Sequence, residues 1–133
     1  MSGPGHVVRT AIERLNANDL AGYYALLADD IKMVTESRTL TGKSAVIAEL
    51  DESFHVVSNH WTATVDRLVV SGHHVATWLT LGGETVRSGV PWHVEGCTVW
   101  EVCEGYITSV REYYDWSPLL QALGMVSGAS NAP

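Results

Sequence analysis

The chain has 133 residues, 46% of them hydrophobic, and a formal net charge of −7. That length fits one domain, large enough to bury about two-thirds of its unfolded surface without staples. Eight scattered Lys and Arg exclude a nucleic-acid surface, which needs clustered cations, and no apolar run reaches the roughly 18 residues of a membrane span.

Residues 1–5 form a Gly/Pro start expected to fray. A first helix is predicted where Val8, Ala11, Ile12 and Leu15 recur at helical spacing. Asn18 or Asp19 caps a second helix carrying Leu20, Tyr23, Tyr24 and Leu27, which Ala28-Asp29-Asp30 breaks. Residues 31–36 read as a short strand. Thr41-Gly42 opens a third helix with Val46, Ile47, Leu50 and Phe54 on one face. From Trp61 the pattern turns to strands, at 62–70, 75–81, 90–102 and 106–114. Ser71-Gly72-His73, Gly82-Gly83 and Glu104-Gly105 supply turn signals between them. A short amphipathic segment closes at Gly124, and residues 125–133 read as a disordered tail. Helices followed by strands predict an α+β domain over 1–124, with a sheet that curls around its helices and leaves a cavity.

The cysteines, Cys97 and Cys103, fall on one strand and so lie roughly 20 Å apart, beyond disulfide reach. Free thiols imply a reducing compartment. No basic segment followed by an apolar run opens the chain, so a cytoplasmic protein is expected.

Several motifs fall in a familiar order: Asn16-Ala-Asn-Asp-Leu20, Leu27-Ala-Asp-Asp30, Leu40-Thr-Gly-Lys43, Glu104-Gly105 with Ile107, and Arg111-Glu-Tyr-Tyr-Asp115. Over about residues 6–124 the chain resembles the SnoaL-like branch of the nuclear transport factor 2-like superfamily. This group includes polyketide cyclases, limonene epoxide hydrolases and ketosteroid isomerases. The resemblance implies a cone in which a curved mixed or antiparallel sheet wraps three helices around a deep apolar pocket. It also implies a homodimer, a small apolar ligand and no cofactor.

The limonene epoxide hydrolases' acid-bearing run matches residues 110–115 and places Glu112 at the catalytic acid. Their Arg-x-Asp pair falls on Trp78 and Thr80, and their Tyr and Asn fall near Met33 and Thr35, so neither pair is present. The isomerases' base falls on Thr35-Glu36, which makes Glu36 a candidate. Their helix-1 Tyr falls near Ala11 and their oxyanion Asp near Cys97, and both are absent. The cyclases' acid before a Leu-Leu-x-Gln-Leu-Gly segment matches Asp115, ahead of Leu119-Leu-Gln-Ala-Leu-Gly124.

Pairing outward from Glu104-Gly105 sets Cys97 opposite Glu112 and Val99 opposite Val110. His93, Glu95, Cys97, Val99, Val110, Glu112 and Tyr114 then share one face by alternation. Trp92, Val94, Trp100, Val102, Ile107, Tyr113 and Asp115 share the other. Hydrophobicity leaves the inward face open. The resemblance favours Glu112 inward, and a bulge near Gly96 would reverse His93. In an apolar pocket Glu112 would titrate near neutrality and work as a general acid or base, with His93 or Tyr114 to orient it or bind an oxyanion. The alternatives are a solvated surface pair for Glu112, a helix cap for Asp115 and a loop position for Glu36. Met33, Thr35, Trp78, Thr80, Cys97, Val99 and Val110 are the candidate pocket walls. Adjacent His73-His74 point to opposite faces, and His55 and His60 lack a third ligand, so no metal site is read. Three functions fit: a cofactor-free enzyme for cyclisation, isomerisation or dehydration of a polyketide-like substrate, a ligand-binding domain, or a dimerisation module.

Overall fold

The computed structural model describes residues 3–124. Helix α1 spans Pro4–Asn16, with proline in its first turn, where a missing N–H costs nothing. The start that was expected to fray is therefore helical from Pro4. Its apolar stripe buries Val7, Val8, Ala11 and Ile12 against the sheet. Asp19 caps the short α2 (Leu20–Tyr24) by accepting from the Gly22 N–H at 3.0 Å. Here the structure departs from expectation. Leu27 starts a strand, β1 (Leu27–Val34), and the Asp29-Asp30 pair lies within it. Both aspartates face out while Leu27, Ile31 and Met33 are buried, so they do not break it.

A short strand β2 (Thr39–Thr41) follows, then α3 (Lys43–Glu52), which ends in a π-helical turn at Ser53–Val57. Strands β3 (Ser58–Ser71), β4 (His74–Thr85), β5 (Pro91–Cys103) and β6 (Tyr106–Tyr114) come next, and α4 (Ser117–Ala122) closes the described chain. The six strands form one sheet in the order β2-β1-β6-β5-β4-β3. Every pairing is antiparallel except β1 with β6, which is parallel. This is the mixed α+β architecture expected.

Gly82-Gly83 makes no turn; both residues lie inside β4, and the chain reverses after Thr85. Tight packing accounts for the glycines. A Cβ on Gly83 would stand 2.5 Å from the Ser58 hydroxyl and 3.2 Å from the Trp92 indole nitrogen. Glu104-Gly105 does turn, with φ of 53° and 84°, as the β5–β6 hairpin requires. Cys97 and Cys103 are free. No helix of the described residues is long and apolar enough to cross a membrane. The expected tail at 125–133 lies outside the described residues.

Candidate active site

A bulge in β6 sets the site. Val102 faces Ile107 as expected, but Glu101 faces Ser109, so Thr108 is an extra residue. Beyond it the register moves by one. Thr98, not Cys97, faces Glu112, and Arg111, not Val110, faces Val99. Trp92, Val94, Thr98, Trp100 and Val102 of β5 thus share the inner face with Ile107, Val110, Glu112 and Tyr114 of β6. β5 alternates without interruption through Gly96, so no bulge there reverses His93. The sequence carries a trace of the real bulge: buried Ile107 and Val110 are spaced by three rather than two.

Between this face and the helices lies a cavity of about 500 Å³. Ile12 and Leu15 of α1, Leu79 and Leu81 of β4, and Leu119, Leu120 and Leu123 at the C-terminal end supply aliphatic walls. Phe54, Trp61 and Trp116 join Tyr23 in a run of edge-on ring contacts, with Phe54 to Trp61 at 5.5 Å and Trp61 to buried Trp92 at 4.9 Å. The indole N–H groups are held. Trp61 donates to the Ser53 and Ser58 carbonyls, Trp92 to the Ser58 hydroxyl and Trp100 to the Thr77 hydroxyl. Fixed rings of this kind present rigid apolar faces.

Glu112 sits on this wall with no hydrogen-bond partner or ion pair among the described residues, and the surface it retains faces the cavity. Burial, and secondarily the negative charge of Glu49, raise its pKa from 4.5 to about 7. Tyr23 also lines the cavity, its hydroxyl without a hydrogen-bond partner among the described residues. Burial first, then the charges of Glu112 and Tyr114, push the Tyr23 phenol well above its ordinary value, so it stays a donor. Tyr114 is buried behind the wall, 2.7 Å from the Thr98 hydroxyl, and burial raises its pKa as well.

Met33, Thr35, Glu36 and Val110 line the cavity with Glu112. Glu36 and Ser37 are exposed lining residues and mark the mouth, where Arg38 pairs with Glu49 of α3.

The other candidates lie elsewhere. Trp78 is exposed on the outer sheet face, with the Arg67 guanidinium 5.7 Å from its ring centre. Thr80, on the same face, donates to Asp66. His93, Cys97 and Val99 follow the outward phase of β5; burial raises the Cys97 thiol pKa. Asp115 is exposed and accepts from the Ser117 N–H and hydroxyl, which lowers its pKa and starts α4. It forms a turn one residue ahead of the N-cap, Trp116, rather than the cap considered as its alternative. No group of three or more metal-ligating side chains occurs among the described residues.

Tyr23, Glu49, Trp61 and Trp116 were not singled out as site residues from sequence. Tyr23 and Glu49 reach the cavity only through the packing of α2 on α1 and of α3 on β1, which periodicity does not reveal.

Solved structures share this architecture. An NTF2-like protein of unknown function from Burkholderia pseudomallei superposes with a TM-score of 0.80 at 21% identity, covering 92% of this chain and 98% of its own. A Streptomyces galilaeus protein provisionally called a hydroxylase gives a TM-score of 0.80 at 14% identity, covering 92% and 85%. A Pseudomonas putida protein provisionally called a polyketide cyclase gives 0.75 at 18%, covering 92% and 98%. No curated protein sequence matches. The family of SnoaL-like domains matches residues 8–110, most of the wall-forming chain. With the curved mixed sheet and its cavity, that match makes this chain a member of the SnoaL-like domain family.

Proposed function

We propose that this chain is a cofactor-free enzyme that moves a proton on a small apolar, polyketide-like substrate, with Glu112 as the general base or acid. One observation carries the reading: a carboxylate without a partner among the described residues, in an apolar cavity, its pKa raised to about 7. Such a group exchanges protons at neutral pH, where an ordinary glutamate stays ionised. The Tyr23 hydroxyl faces the same space and can donate to an oxygen on which charge develops. Proton removal beside a carbonyl, with Tyr23 stabilising the enolate oxygen, is the common step of cyclisation, isomerisation and dehydration in such compounds. The reading also includes a homodimer, supported by an outer sheet face that exposes Trp78 and Tyr113.

The test is turnover of a panel of β-dicarbonyl and cyclic enone substrates by the wild type and by Glu112→Gln. Loss of at least ~100-fold in kcat/KM is expected, the scale of a removed general base. The wild-type rate should turn over near pH 7 and the variant's should not. Full turnover by Glu112→Gln would refute the assignment.

A further inference from the structure

Among the described residues, three charged side chains line the cavity, and all are acidic: Glu36 and Glu49 toward the mouth and Glu112 within. No Lys, Arg or His is among the lining residues, and residues 125–133 contain none either. Arg38 approaches only Glu49 and does not line the cavity. Among the described residues Glu112 has no cation to pair with. The aromatic side chains of Tyr23, Phe54, Trp61 and Trp116 line the same cavity.

We infer that the cavity selects by charge: among apolar ring systems it prefers one bearing a basic nitrogen to a neutral one, and it refuses carboxylates and phosphates. A carboxylate or phosphate on the ligand would lose its hydration inside and find no cation there, next to a desolvated carboxylate of the same sign. An ammonium group finds the reverse. It pairs with Glu112 and rests against aromatic faces that attract cations. Tyr23 and Tyr114, the other titratable groups around Glu112, stay neutral and protonated, and Glu49 adds negative charge. The inference rests on the proposed site but concerns what enters it rather than the proton transfer.

The test uses three probes with one ring skeleton: 2-naphthylmethylamine, 2-naphthalenemethanol and 2-naphthoic acid. Their binding to the full chain is measured by calorimetry at about pH 8, where Glu112 is ionised. The amine should bind at least ~10-fold more tightly than the acid, with the alcohol between them. Lowering the pH to about 5.5 should shrink that ratio in the wild type, because Glu112 then holds its proton. Glu112→Gln should shrink it at both pH values. An acid that binds as well as the amine overturns the inference, and so does failure of all three to bind.

The two readings fail separately. Loss of turnover in Glu112→Gln with no amine preference in the wild type removes only charge selection. Full turnover in Glu112→Gln with the amine preference intact removes only proton transfer.

Discussion

Replacing Glu112 by Gln should make the protein more stable at alkaline pH and change it little in acid. The native pKa of about 7 stands above the ordinary value of 4.5. Between those values the folded chain keeps a proton that the unfolded chain has lost, so stability falls as pH rises. The contribution is fully present below pH 4.5 and gone above about 7. At about 1.4 kcal/mol per unit, the shift corresponds to a cost of about 3 kcal/mol at pH 8. Water admitted to the cavity lowers that to about 2 kcal/mol, or roughly 7 °C in melting temperature for a chain of this size. Gln has nearly the same shape and no charge to desolvate. Thermal unfolding of both proteins at about pH 4 and about pH 8 reads the effect directly. Other carboxylates cancel in the comparison. The variant should melt higher at pH 8 and within about 2 °C of the wild type at pH 4. An equal difference at both values would refute the reasoning, because a desolvated charge cannot act where it is absent.

Two further substitutions probe the frame of the site. Gly96→Ala would set a Cβ 2.4 Å from the Tyr113 carbonyl and 2.4 Å from the Tyr114 ring; urea unfolding should show a loss of about 2–3 kcal/mol. Asp115→Asn keeps an oxygen for the Ser117 hydrogen bonds, so it should leave kcat/KM within about twofold of wild type. A large kcat/KM loss there would return Asp115 to the chemistry.

The legible parts of the fold were those governed by local rules. Asp19 as a cap, the α1 stripe and the Glu104-Gly105 hairpin each follow from a few neighbouring residues. The misread parts depended on packing at a distance. Gly82-Gly83 resembles a turn, and only the approach of Ser58 and Trp92 from adjacent strands explains it as strand. β2 is too short to carry a pattern. Within the site, the grouping of Trp92, Val94, Trp100 and Val102 on one face was right, but that face was left open and the opposite one, with Glu112, was favoured as inner. The error came from carrying the hairpin register past Thr108 without a bulge, which grouped Cys97 and Val99 with Glu112. Glu112 itself was reached through the resemblance, because a lone Glu on a mixed strand gives no signal of its own.

The single parallel pairing has a consequence for how the protein is made. β1 is held between β2 and β6, and Met33 meets Val110 across the parallel pairing of an early strand with the last one. While the ribosome is still producing β3 and β4, the first two strands have no neighbour on that side. Contacts so distant in sequence form late and slowly. β6 brings the docking edge for β1 and the Glu112 carboxylate in the same stretch of chain, so the sheet is completed and the pocket receives its acid in one event.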